Sequence, residues 1–171
     1  MAHAQSASAA PADNTPPTWR DRMTVEQNKE FIRRYFNEVW NKGNLDKEAE
    51  FISKDAVVHA PPIPGLPPGI AGPLAVVGMF RAALPDLHVS HDALFGAGDK
   101  VAHHWVARGT HRGAPLFGAP ASGKEIQLIG INVFRIVEDK IVERWGAIDT
   151  LGVAQQMGLA PDPQQGGPGS R

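Results

Sequence analysis

His59 closes the apolar run Ala56-Val57-Val58 and precedes a proline-rich stretch. A neutral imidazole there can take or give a proton near pH 7, which makes His59 a candidate acid/base; the other reading is a histidine that bonds loop backbone. His103 and His104 are consecutive in a segment with strand-like alternation, so their side chains point to opposite faces. His103 shares its side with Val101, Trp105 and Ala107, the more apolar one, and is the candidate cavity residue. His104 shares the outer side with Arg108. Asn132 interrupts the apolar residues Ile129, Ile131, Val133 and Phe134. A buried amide needs a partner, and this one could orient a substrate carbonyl or enolate. It exchanges no proton near neutral pH, so it is not itself a base. Asp149 either caps the final helix or, partly buried, transfers a proton. His59, His103, Asn132 and Asp149 are the expected catalytic set.

Around them, Phe36, Trp40, Met79, Phe80, Trp105 and Trp145 would wall an apolar pocket for substrate; each could equally be plain core. Glu143 or Arg144 faces inward depending on register, which a single bulge would flip. Charged strand residues are usually solvated, so both rank low. His88 and His91 are three apart on a predicted strand and fall on opposite faces, and His111 reads as structural. No set of three ligands at metal spacing emerges, so no metal is expected. The chain has no cysteine, which excludes disulfides, thiolate metal sites and cysteine nucleophiles. There is no glycine-rich phosphate loop opening a helix and no convincing Ser-His-Asp spacing. A net charge of −1 lacks the basic excess of a general nucleic-acid binder. No apolar run approaches a membrane span and the N-terminus does not read as a signal peptide, so a cytoplasmic location is expected.

The elements that must position these residues follow from composition and periodicity. With 171 residues, 42% hydrophobic and 20% charged, one globular domain is expected. Residues 1–22 and 160–171 read as disordered arm and tail, leaving a single domain over 23–159. Thr24 with Gln27 matches a capping box, and Ile32, Tyr35, Phe36, Val39 and Trp40 recur at helical spacing until Gly43. Asn44 would cap a short helix over 45–53 with Leu45, Ala49 and Ile52 inward. A short strand at 56–59 leads to a stiff proline- and glycine-rich loop, 60–72, of the kind that forms lids or binding loops. A third helix is expected over 73–84. Strands are expected over 87–96, 100–109, 125–137 and 140–148, with tight turns at Gly98-Asp99 and Glu138-Asp139. A short helix over 150–158 ends the body. Helices first and strands after define an α+β fold in which three helices cover one face of a curved sheet and leave a cone between them.

Four segments carry a family resemblance: His59-Ala-Pro-Pro with the loop PGLPPGIAG, MFRAALPDLHV at 79–89, GDKVAHHWVARGTHRG at 98–113, and GINVFRIVEDKIVERWGAIDTLGVAQQMG at 130–158. In order and spacing they resemble the SnoaL-like polyketide cyclase (ester cyclase) family of the nuclear-transport-factor-2-like superfamily. The resemblance implies a cone-shaped α+β barrel, with three N-terminal helices on a curved, mostly antiparallel sheet. It implies a hydrophobic, carbonyl-bearing, polyketide-like substrate, cyclised or isomerised by acid/base proton transfer without a cofactor. It further implies a homodimer paired through the outer sheet face. Characterised cyclases of the family place an acid/base aspartate one residue past the position of Trp145 and a histidine in the middle of the preceding strand. Here those positions hold Gly146 and Asn132. A non-catalytic small-molecule-binding protein of the same fold, or an epoxide or lactone hydrolase, are the alternatives.

Overall fold

Thr24 and Gln27 bond reciprocally, the Thr24 N–H donating to Gln27 Oε1 at 2.7 Å and the Gln27 N–H to Thr24 Oγ1 at 3.2 Å. This is the capping box that the sequence predicts. It opens helix α1, Val25–Tyr35, whose inner face carries Phe31, Ile32 and Tyr35. The structure, a computed structural model, describes residues 23–59, 67 and 71–161. The expected arm 1–22, most of the loop 60–72 and residues 162–171 of the expected tail lie outside the described residues.

Past Tyr35 the helix widens into a π-helical turn, Phe36–Asn41, which brings Phe36, Val39 and Trp40 into the core. Such single turns are frequent at functional sites. Its last carbonyls are satisfied by Arg81, whose Nη1 donates to Trp40 O at 2.6 Å and to Asn41 O at 2.9 Å. The Asn41 carboxamide bonds both the N–H and the C=O of Val89, at 2.7 and 3.1 Å, and so ties the helix end to the sheet.

The helix expected over 45–53 is instead a 3-10 turn, Leu45–Lys47, followed by α2, Glu48–Phe51. Asn44 makes no capping bond and donates to Glu38 Oε2 at 2.9 Å. The tighter 3-10 turn rotates the residues after it about the helix axis: Ala49 is exposed or nearly so, Phe51 is buried, and Glu48 turns partly inward. Ile52 already belongs to strand β1, Ile52–His59, which begins earlier than expected.

Helix α3, Ala71–Ala83, is followed by β2, His88–Ala97, β3, Lys100–Thr110, β4, Glu125–Val137, and β5, Lys140–Ile148, then α4, Thr150–Gln156. The sheet order is β1-β5-β4-β3-β2. Strands β2 to β5 form an antiparallel meander, and β1 joins β5 in parallel. The fold is the expected α+β one, with helices packed on a mixed sheet. The sheet is open, because β1 and β2 are both edges and do not pair. Burial alternates along β3 and β4, so Val101, His103, Trp105 and Ala107 share the inner face with Leu128, Asn132 and Phe134. Gly130 lies under the Trp105 indole, where a Cβ would overlap the ring. Among the described residues no helix is long and apolar enough to cross a membrane.

Candidate active site

Two bulges assemble the interior polar groups. In β2 the register shifts between His91 and Ala93, so His91, opposite Trp105, and Leu94, opposite His103, both face inward. In the β4–β5 pair it shifts between Arg135 and Ile136. Ile141 and Arg144, three residues apart, are consequently both buried. Without that slip, alternation would place one of them outside.

His103 is fully buried. Its Nε2 lies 2.8 Å from His91 Nδ1. One imidazole must donate and the other accept, so the accepting ring is neutral. In either arrangement His103 Nδ1 is buried with no hydrogen-bond partner among the described residues. Burial, with His91, His104 and Arg33 nearby, pushes the His103 pKa down to about 3. Burial likewise lowers that of His91. The Phe36 ring meets His103 edge-on, its centroid 4.4 Å away.

Asn132 sits across the ladder from His103 on one side and Gly146 on the other. Its Oδ1 accepts from Arg144 Nη2 at 3.0 Å and Nε at 3.3 Å. A guanidinium only donates, so the amide orientation is set. Asn132 Nδ2 is therefore the other end, buried and without a partner among the described residues. A Cβ at Gly146 would overlap Asn132 Oδ1 and press on the guanidinium. The space that a side chain at 146 would take is thus filled by the Asn132 side chain with Arg144 folded over it.

Arg144 is 8% exposed. Burial lowers its pKa, opposed by Tyr35 and Glu48. Burial pushes the Tyr35 hydroxyl up to about 12 and the Glu48 carboxyl up to about 7, in each case against the lowering field of Arg144. Glu48 Oε1 is buried with no partner among the described residues.

The expected residues divide between the two faces. His103 and Asn132 are inside, with Phe36, Trp40, Phe80 and Trp105 buried and Met79 half-buried. Phe36 stacks on Trp40 at 5.7 Å, and Trp40 meets Trp105 at 5.3 Å. His59 and Trp145 stand on the outer face instead, because they pair with each other and Trp145 pairs with Val133. The two rings stack at 5.0 Å. His59 Nε2 lies 3.0 Å from Glu143 Oε1, and Glu143 Oε2 accepts from Arg135 Nε at 2.9 Å. His59 and Arg135 hold the Glu143 carboxyl below its usual range. Neither His59 nor Trp145 can meet a molecule held against His103. Asp149 is exposed and accepts from Gly152 N–H at 2.8 Å as the cap of α4. His104 pairs outside with Asp92, 2.7 Å apart. His111 is buried and ties loop to loop, its Nε2 donating to Ala114 O at 3.2 Å.

Sequence reasoning missed His91, Glu48 and Tyr35 and ranked Arg144 low. The bulge at Asp92 and the 3-10 turn before Glu48 leave no residue-type signature. Among the described residues no group of three His, Cys, Asp or Glu side chains is placed to hold a metal.

The fold is α+β, and its apolar interior holds a short row of histidine, amide and guanidinium. Comparison supplies the family. The model of the SnoaL-like polyketide cyclases matches residues 30–157, and the chain belongs to that family. Among solved structures, it is similar to a candidate polyketide cyclase from Acidithiobacillus ferrooxidans, at 31% identity and a TM-score of 0.66 over 81% of this chain and 100% of the other. It is similar to IdmH, a candidate polyketide cyclase from Streptomyces antibioticus, at 32% identity and a TM-score of 0.65 over 77% and 99%. AclR, a candidate hydroxylase from Streptomyces galilaeus, shares the fold at 22% identity, with a TM-score of 0.72 over 81% and 89%. Among curated proteins none matches the chain in sequence.

This geometry makes two measurable demands. Gly146→Ala should cost about 1–3 kcal/mol in denaturant unfolding, because it displaces Asn132 from Arg144. In an Asn132→Ala background the same change should cost less, with a coupling above about 0.5 kcal/mol; additive costs would show that the two positions do not compete for space. The second demand is pH-dependent. Above about 6.5, the ordinary value for histidine, His103 is neutral in both the folded and unfolded chain. Below it the unfolded chain takes up a proton that the folded one refuses until about pH 3. Stability should therefore fall through this window as pH drops. The fall between about pH 7 and 4.5 should be smaller in His103→Gln, and an equal fall in both proteins would refute the assignment.

Proposed function

We propose that this protein is a cofactor-independent enzyme that cyclises or isomerises a hydrophobic, carbonyl-bearing, polyketide-like small molecule by proton transfer in the apolar interior. The observation that carries the reading is a pair of polar atoms buried without partners among the described residues, Asn132 Nδ2 and His103 Nδ1, on residues that face each other across the β3–β4 ladder under an aromatic wall. Such groups are costly to bury unsatisfied, and an oxygenated substrate answers both. Asn132 Nδ2 would hold the carbonyl oxygen and steady the enolate that forms, with Arg144 positioning the amide. Glu48, whose carboxyl is pushed up to about 7, is the interior group matched to moving a carbon-bound proton at neutral pH. His103, backed by His91, would act as the neutral hydrogen-bonding partner. A binding-only role is favoured by one observation, the glycine where cyclases carry a carboxylate.

The reading also includes a homodimer. The outer sheet face exposes Phe95 and Ile131, 69% and 55% accessible. Paired copies would cover them.

β-Tetralone, a bicyclic ketone with acidic C1 protons, serves as the probe of chemistry. In deuterated buffer the protein should accelerate exchange at C1, followed by NMR, and Glu48→Gln and His103→Ala should each slow it by about 100-fold. Exchange no faster than buffer alone, with the ketone bound, would leave a binding protein. For the assembly, light scattering should give twice the 18.4 kDa chain mass. Phe95→Arg with Ile131→Arg should return it to one chain; a monomeric parent protein would overturn the pairing.

A further inference from the structure

Proton transfer in the interior uses Arg144 only to hold an amide, yet a buried guanidinium is more than that task requires. A buried cation is normally paired with a carboxylate, because leaving water costs it several kcal/mol. Arg144 has no carboxylate within 4.0 Å among the described residues. Its hydrogen-bond acceptor is the neutral Asn132 Oδ1, reached from both Nε and Nη2. The acidic groups that act on it, Tyr35 and Glu48, do so without a hydrogen bond to it among the described residues. Tyr35 is protonated at neutral pH and Glu48 is about half so. The guanidinium is thus left without a carboxylate at ion-pair distance among the described residues. A side chain at 146, the next position along β5 on the same face, would have to displace Asn132. On the residue that Arg144 holds, Asn132 Nδ2 is buried without a partner among the described residues, and so is Nδ1 of His103, its neighbour across the ladder.

We propose that Arg144 and Asn132 Nδ2 form an anion subsite, and that the small molecule this protein takes carries an acidic oxygen on an apolar skeleton. That oxygen belongs to a carboxylate or to an acidic enol, both of which present a delocalised oxyanion to a guanidinium. The inference rests on the reading of the interior as a small-molecule site and adds the charge of its occupant. It also gives Gly146 a reason. A carboxylate at that position would satisfy Arg144 internally and repel an anionic ligand, whereas glycine with Asn132 leaves the cation available.

The test compares near-isosteric bicyclic probes by calorimetry at low salt, with the full chain. 2-Naphthoate should bind at least about tenfold more tightly than neutral 2-naphthamide, as expected for one charge-assisted hydrogen bond. 2-Naphthol reports the enol arm: bound in the subsite it should ionise at lower pH than in water, read by its long-wavelength absorbance. A preference for naphthoate alone assigns a carboxylate, and ionisation of naphthol alone assigns an enol. Arg144→Met should abolish either effect. Asn132→Asp, which supplies an internal counter-ion at nearly unchanged volume, should abolish both with the fold retained by near-ultraviolet circular dichroism. Equal binding of naphthoate and naphthamide, with no ionisation of naphthol, would overturn the anion subsite and leave the small-molecule reading of the interior standing. Failure of every probe to bind would overturn both. A preference that survives Asn132→Asp would place the anion elsewhere and overturn the assignment to Arg144.

Discussion

The contact between Arg144 and Asn132, laid over Gly146, is the constraint on which the interior depends. A guanidinium can stay in an apolar core only when its N–H groups find acceptors. Here one amide oxygen serves two of them. That arrangement leaves no free space for a side chain at 146, fixes Asn132 Nδ2 as the end without a partner among the described residues, and goes with the β-bulge that brings Arg144 inward. Changing any one of the three residues therefore disturbs the other two.

The surrounding titratable groups respond to the same cation and the same dryness. Tyr35 and Glu48 feel burial more strongly than they feel Arg144, so both are pushed toward their neutral forms. The His91–His103 pair stays neutral because a second buried positive charge would be unsupported. The interior thus contains one permanent cation, one carboxyl near its midpoint at neutral pH, and neutral hydrogen-bonding groups.

The sheet keeps two kinds of polar chemistry apart. On the outer face His59, Glu143, Arg135 and Trp145 form a solvent-side network whose parts satisfy one another. On the inner face the polar atoms are incompletely satisfied. Among the described residues the polar groups of the outer face are thus paired more completely than those of the inner face.

Much of this was legible in the residues. The capping box at Thr24, the turns at Gly98-Asp99 and Glu138-Asp139, the strand spans, and the inward His103 and Asn132 all follow from local chemistry and period-two alternation, which act over a few residues. The π-helical turn after Tyr35, the rotation that turns Glu48 inward, and the two bulges do not. A bulge adds one residue to one strand, and its effect is decided by the partner strand it must match. That is why His59 fell on the outer face although its strand reads as apolar, and why Arg144 and His91 entered the interior from positions that composition alone marks as exposed. The sequence by itself determined the fold class and the inventory of groups able to do chemistry. Only the tertiary structure decided which of them share one face, because strand register is settled between segments distant in the chain.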